Sequence, residues 1–416
     1  MQGGFSVSMP MHDVPAPEPG TAPLYWDPFD PALRDDPYTL WKRLRQDAPL
    51  YYNDRYDFYA LSRYRDVELV HLDPRTYSSA HGTTLEMLTP DPYPSGQIIF
   101  MDPPEHTRLR ALVSRAFTPR RMAAMEDQIR AVTVELLDRQ VGRSAFDYVA
   151  EFGAILPPTV ISVLLGVPAD EQDEMRTAID AIFHIEEGVG MINDVSTRAI
   201  QKVTEYLHGL ITARRSHPED DLLSALAVAE VTEDDGRTRR LDPLEAAQFG
   251  LVLFVAGTET VARLIGWSAA VLADHADQRA ELHSNRSLIP GAVEELLRYE
   301  APSPVQARWV TTDIELYGQP IPATSKLVLL TGSAGRDERK YDEPDRFDIH
   351  RQIDHHVSFG YGIHHCLGAA LARAEGRIAI EETLNRWPEW DIDHDSARLL
   401  YTSTVRGYER LPMRLA

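Results

Sequence analysis

Cys366 is the single cysteine of this 416-residue chain, so no internal disulfide is open to it. Three roles remain: an inert small hydrophobe in the core, a nucleophile, or a metal ligand. Its surroundings favour the last. The run Phe359-Gly-Tyr-Gly-Ile-His-His-Cys366-Leu-Gly368 leads straight into an alanine-rich helical stretch. A thiolate there would sit at a helix start, where free N–H groups and the helix dipole favour negative charge. Gly360 and Gly362 permit a tight backbone and the close approach of a flat ligand, and Gly368 keeps the helix face bare.

Three further constellations carry polar groups in suggestive places. Ala256-Gly257-Thr258-Glu259-Thr260 puts an acid beside an alcohol inside a long apolar helix. The plainer reading is a threonine bonded back to a helix carbonyl and a glutamate in an ion pair. His106 and Arg110 are four apart, so one helix face carries both. Donors in that arrangement suit carboxylates, although a solvated face would look the same. Glu295-Leu-Leu-Arg298 is an i,i+3 pair, and the same spacing recurs at Glu105–Arg108 and Glu343–Arg346, so spacing alone says little.

The cysteine loop resembles the haem-binding loop of the cytochromes P450. The pattern Phe-Gly-x-Gly-x-His-x-Cys-x-Gly-x-x-Leu-Ala-Arg is matched at every fixed position from Phe359 to Arg373. The resemblance implies haem b with Cys366 as axial thiolate, which pushes electron density onto iron and favours O–O cleavage. It gives His364, His106, Arg110 and Arg308 to the haem carboxylates, and Phe359, Gly360 and Gly368 to the cysteine loop. It makes Ala256–Thr260 the oxygen-activation segment: Gly257 leaves room for O2 and the porphyrin, while Glu259 and Thr260 serve proton delivery. Order along the chain selects Glu295–Arg298 among the three copies, with Arg346 completing a buried structural network. One departure is Ala334-Gly335-Arg336-Asp337, where the family often has Ala-Asn-Arg-Asp; the expected loss is one local hydrogen bond.

The elements that must position these groups are mostly helical. Apolar periodicity predicts helices over Pro37–Gln46, Tyr64–His71, Glu105–Phe117, Arg121–Gln140, Leu156–Leu165, Asp170–Ile185, Asn193–Arg215, Pro243–Asp274 and Gly368–Arg386. Asp242 is a plausible N-cap for the long helix and Pro243 suits its first turn. Leu50–Asn53 and Phe58–Leu61 alternate as strands, and short strands and turns recur over Val310–Leu330 and Trp390–Leu415. Thr76–Gln97 reads as a long loop, and His217–Asp221 and Glu230–Arg240 as polar connectors. The expected fold is mainly α with small β-sheets (α+β): a flexible tail over 1–24 and a single triangular haem domain over 25–416.

Composition excludes several classes. A net charge of −22 argues against nucleic acid as a partner. Leu251–Ala273 is apolar enough to suggest a membrane span, but Glu259 and Arg263 near its middle argue for a buried helix. The start of the chain lacks the pattern of a signal peptide or anchor, and a lone cysteine suits a reducing interior, so a cytoplasmic location is expected. The resemblance implies a monooxygenase that takes O2, an apolar small molecule, and electrons from NAD(P)H through a separate reductase and a ferredoxin. A peroxide-driven peroxygenase and a non-catalytic haem or ligand-binding protein are the alternatives. It also points to Ser78–Ile98, Ile182–Ile192, Gly250–Thr260, Pro304–Ala307 and Tyr401–Ser403 for substrate contact, with Phe183, Leu253, Phe254, Val305 and Tyr401 lining an apolar pocket and Glu186 and Glu187 at its rim. Finally, Arg108, Arg115, Arg120, Arg121, Arg373 and Arg377 form a local basic concentration in an acidic chain, expected to be a docking patch for an acidic ferredoxin.

Overall fold

The computed structural model describes residues 24–33, 35–93, 96–114, 119–184, 186, 192–232, 236–402 and 405–415. The tail expected over 1–24 lies outside these, apart from Leu24. Helices α1 Tyr38–Asp47, α2 Tyr64–Leu72, α3 Glu105–Ser114, α4 Pro119–Asp138, α5 Leu156–Leu165, α6 Gln172–Ile182 and α7 Asp194–Ser216 fill the first half. They are followed by α8 Leu222–Ala227, α9 Pro243–Asp274, α10 Ala276–Ser284, α11 Ile289–Tyr299, α12 Thr331–Ala334 and α13 Ala369–Arg386. The strands are β1 Leu50–Asn53, β2 Phe58–Leu61, β3 Tyr77–Ser78, β4 Ala145–Asp147, β5 Glu230–Thr232, β6 Thr238–Arg240 and β7 Gln306–Val310. The remainder are β8 Ile314–Leu316, β9 Gln319–Ile321, β10 Lys326–Leu329, β11 Trp390–Ile392, β12 Arg398–Tyr401, β13 Arg406–Arg410 and β14 Pro412–Leu415. The fold is thus mainly helical with small sheets. The stretch expected as a polar connector over Glu230–Arg240 is instead a hairpin of β5 and β6, whose Val231 is buried against the core.

Helix α9 organises the molecule. It starts where its sequence asks it to: the Asp242 side chain accepts from Leu244 N–H, Glu245 reaches back to Asp242 N–H, and Pro243 occupies the first turn. By length and apolarity it is the one helix among the described residues that could cross a membrane, yet 72% of its most apolar window is buried inside the protein. Helices α5, α7, α11 and α13 pack around it. Phe254, expected to line a substrate pocket, is instead fully buried in the main core, where such burial contributes about 2 kcal/mol. Leu253 and Val305 are buried as well, the latter in a second core beside Trp41 and Trp309.

A five-stranded sheet in the order β1-β2-β10-β7-β3 forms the other layer. Strand β10 pairs parallel with β2 and antiparallel with β7, setting Leu327 opposite Arg308. This register fixes where Arg308 enters the site.

Candidate functional site

The cysteine loop is shaped by two glycines in the left-handed region, Gly360 at φ +68° and Gly362 at φ +66°. A Cβ on Gly362 would lie 2.5 Å from the His71 carbonyl oxygen, so this glycine lets the loop press on the end of α2. Close approach here is therefore to protein backbone, where the sequence suggested a flat ligand. The loop then turns back on itself: Cys366 N–H donates to the Phe359 carbonyl at 2.8 Å and His365 N–H to Gly362 at 3.2 Å. Gly368 stands as N-cap of α13, where an added Cβ would come 3.9 Å from Cys366 Sγ.

Cys366 is exposed at its side chain, yet protein surrounds it widely enough that burial raises its thiol pKa. The Gly368 N–H, Arg110 and Arg373 oppose that rise and favour thiolate. Arg373 is held for this by packing: its guanidinium lies 4.6 Å from the Phe359 ring centroid, and its Nε donates to Glu294 Oε1 at 2.6 Å. Burial pushes the Glu294 carboxyl up, but bonds from His356 and Arg373 outweigh this and hold it at about 2.

Beside the loop lies a cluster of cationic and imidazole groups. His106 on α3 and His364 meet with ring centroids 4.3 Å apart. Arg110 donates through Nη2 to the His365 carbonyl. Arg308 on β7 is buried, donates to the Ala307 carbonyl at 2.8 Å, and reaches within 3.5 Å of His71 Nδ1. Both ring nitrogens of His106 and the Nε2 atoms of His71 and His364 are buried without a hydrogen-bond partner. Each orphan of this kind costs about 1–3 kcal/mol. The carboxylate nearby is Asp102, already engaged by the Ser78 hydroxyl at 2.5 Å and Ser79 N–H at 3.0 Å.

Four buried imidazole nitrogens without partners, flanked by the Arg110 and Arg308 guanidiniums, suit a ligand bearing carboxylates. Haem, with two propionates and an axial position for a thiolate, fits this donor set. The structure thus brings together the expected His106, Arg110, Arg308, His364 and Cys366, and adds His71, which the sequence reading passed over. His71 ends a helix like many surface histidines, and only the approach of α2 to Gly362 reveals it.

Burial lowers the pKa of His71 to about 3, of His106 to about 4 and of His364 to about 2, with Arg308 or Arg110 adding to the effect. An unfolded histidine titrates near 6.5. The unfolded chain therefore binds more protons between about pH 6.5 and 4, and the fold loses stability as pH falls through that window. Each histidine contributes up to about 1.4 kcal/mol per pH unit. Carboxylates of a bound haem beside the rings would oppose this. Thermal unfolding of cofactor-free protein should steepen below pH 6.5 relative to loaded protein. Parallel pH profiles for the two would contradict the placement of the carboxylates.

On α9, Ala256 is exposed although the helix on either side is largely buried. A Cβ on Gly257 would lie 3.5 Å from Ile161 of α5 in ordinary contact. Ala256 is thus the most exposed small residue of the segment, while a Cβ on Gly257 would point toward Ile161. The Thr260 hydroxyl donates to the Ala256 carbonyl at 2.9 Å, and Glu259 pairs with Arg263. Both features of the plainer reading are therefore present. They still leave Thr260 with acceptor lone pairs and a half-buried position. Helices α9 and α13 meet where Gly376 faces Leu264, and Thr260 and Cys366 both lie N-terminal of that crossing.

Glu295 and Arg298 are wholly buried, 0% exposed, and joined by two hydrogen bonds of 2.6 and 2.7 Å. Arg346, expected to complete this network, does not do so. Its side chain is 60% exposed and pairs with Glu343 and Asp348. Phe347 beside it is fully buried, while a turn closed by Arg346 N–H and the Glu343 carbonyl leaves the Arg346 side chain outside. The third member is Arg351, whose Nε donates to Glu295 Oε1 at 3.2 Å. Arg346 contributes only its carbonyl, which accepts from Arg298 and Arg351. Gly335 is also more than a lost hydrogen bond: a Cβ there would fall 2.4 Å from the Arg298 carbonyl oxygen.

The basic concentration is largely matched within the protein where it is described. Arg373 pairs with Glu294, and Arg377 pairs with Glu126 and Glu381. Arg115 lies outside the described residues, as do the side chains of Arg120, Arg121 and Tyr401; Glu187 is outside too. The segment Thr76–Gln97 borders a cavity of about 280 Å³ lined by Ala80, Pro92, Tyr93, Phe100, Asp102 and Arg108 among others.

The family model for cytochrome P450 matches residues 49–404. Cytochrome P450 107B1 of Saccharopolyspora erythraea is 37% identical over 404 residues, spanning 93% of this chain and 96% of that protein. Cytochrome P450 CYP109Q5 from Chondromyces apiculatus has a similar structure, with a TM-score of 0.85 and 33% identity over 94% of this chain and 98% of that one. CYP109E1 from Bacillus megaterium, solved in complex with corticosterone, superposes with a TM-score of 0.82 and 30% identity over 92% and 99% of the two chains.

Proposed function

This chain belongs to the cytochrome P450 family, and on that premise we propose that it hydroxylates or epoxidises an apolar small molecule with electrons from NAD(P)H, passed through a separate reductase and a ferredoxin. The observation that carries the reading is the cluster of unpartnered imidazole nitrogens, flanked by the Arg110 and Arg308 guanidiniums, beside the lone cysteine. Haem bound through that thiolate supplies O2 activation, one oxygen atom going to the substrate and the other to water.

The chain's own residues do the rest. Arg110, Arg308, His71, His106 and His364 orient the two carboxylates, and Gly368 N–H, Arg110 and Arg373 support the sulfur as thiolate. Thr260 and Glu259 form the proton path, with the hydroxyl nearest the exposed face of α9 and the carboxylate behind it. Residues 25–416 act as one haem domain, working in the cytoplasm.

The test is a ligand screen on loaded protein that follows the Soret band, starting with corticosterone and extending to terpenoids, fatty acids and polyketides. A shift to shorter wavelength, followed by product formation with NAD(P)H, O2 and a ferredoxin system, supports the reading. Turnover with peroxide alone, unaffected by Thr260→Ala, would instead favour a peroxygenase. Ligand binding with no oxidised product under either supply would favour a binding protein.

A further inference from the structure

We infer that Arg263 is a positioning residue for the proton path, anchoring one oxygen of the Glu259 carboxylate to strand β13 so that the other is left to exchange protons. The inference rests on the assignment of Glu259 to proton delivery.

Both contacts from Arg263 to Glu259 fall on the same atom. Nε donates to Oε1 at 2.9 Å, and Nη2 donates to Oε1 as well. Among the described residues Oε2 receives no hydrogen bond. The remaining arm of the guanidinium, Nη1, donates to the Tyr408 carbonyl of β13. Arg263 and Glu259 are both largely buried, at 7% and 12% side-chain exposure, so this geometry is not a loose surface pairing. A planar fork with several fixed donors can hold a carboxylate and a carbonyl at once, which a lysine cannot reproduce.

The strand is shaped to admit the arginine. A Cβ on Gly407 would lie 2.6 Å from Arg263 Cβ and 2.7 Å from its Cδ. These atoms are close to the α9 backbone and have little freedom to move away. The strand is held at this height by Trp267, whose indole N–H donates to the Arg406 carbonyl at 3.2 Å and whose ring meets Tyr408 edge-on at 4.8 Å. Across the pair, on α6, the exposed Asp180 is close enough to feel both Glu259 and Arg263. The carboxylate is therefore set by α9 and β13 together.

The experiment uses loaded full-length protein in two measurements. In the first, a plant-type ferredoxin and its reductase drive O2 reduction without added substrate, and peroxide released per NADPH is measured for the parent, Glu259→Gln, Arg263→Gln and the double variant. Arg263→Gln should raise the peroxide yield by about twofold or more in the parent and have no further effect beside Glu259→Gln. Gly407→Ala should act in the same direction as Arg263→Gln, and Arg263→Lys should restore only part of the parent yield. In the second, infrared difference spectra against Glu259→Gln locate the Glu259 carboxylate stretch, which should move in Arg263→Gln. If Glu259→Gln itself leaves the peroxide yield unchanged, the assignment of Glu259 to proton delivery fails. If Glu259→Gln acts but Arg263→Gln is silent, or acts equally in both backgrounds, Arg263 is a packing residue and the inference is overturned. An unmoved carboxylate stretch in Arg263→Gln overturns it as well.

Discussion

Cys366→Ala should yield a folded protein that has lost every thiolate-type feature of its haem spectrum and all monooxygenase turnover. No second cysteine exists to replace it. Cys366 is exposed, and the loop is held by backbone bonds from Cys366 to Phe359 and from His365 to Gly362. Comparison of cofactor-free proteins should therefore show a stability change within about 1 kcal/mol. The loss is chemical: a methyl group cannot ligate iron or accept the Gly368 N–H that supports the thiolate. Absorption of the reduced, carbon monoxide-bound protein reads the ligand directly. A thiolate-type spectrum surviving in Cys366→Ala would overturn the assignment.

The second large effect concerns stability. Arg298→Leu should destabilise the fold by about 3–5 kcal/mol, because it removes two of the hydrogen bonds to the buried Glu295 and leaves it only the longer contact with Arg351 as a cationic partner. It also strips donors from the carbonyls of Gly335 and Pro344, which Arg298 holds at 2.7 and 2.8 Å. A loss of that size is a large part of a typical domain's 5–15 kcal/mol. The neighbouring arginines separate two views of this network. Arg351 is 12% exposed and bonded to Glu295 and to three carbonyls, so Arg351→Ala should cost about 1–3 kcal/mol. Arg346 has an exposed side chain paired with carboxylates at the surface, so Arg346→Ala should stay within about 0.5 kcal/mol. Urea unfolding of cofactor-free protein measures all three. Equal losses for Arg346 and Arg351 would contradict the geometry.

That contrast shows where sequence reading reaches its limit. The resemblance assigned Arg346 to this network, but its side chain lies outside next to the buried Phe347, and five residues later the chain has folded back to place Arg351 on Glu295. The same holds for His71, whose role depends on the close approach of Gly362 to α2. Gly257 and Ala256 are adjacent and both small; which one is the more exposed follows from the rotation of α9 against Ile161. The arginines after Cys366 count as a basic patch in one dimension, and Glu294, Glu126 and Glu381 match two of them in three.

The sequence alone determined what is local and covalent: a single thiol, glycines before it that permit a left-handed turn, a helix after it, the long α9 with its Asp242 cap and first-turn proline, and an acid beside an alcohol within that helix. Such features depend on residue type, spacing and helical periodicity, which a linear pattern records. Only the tertiary structure decided which charges lack partners and which are satisfied, because that balance depends on groups far apart in the chain. It left both ring nitrogens of His106 and the Nε2 atoms of His71 and His364 unmatched, and it tied Glu259 through Arg263 to a carbonyl of β13 almost 150 residues away by sequence.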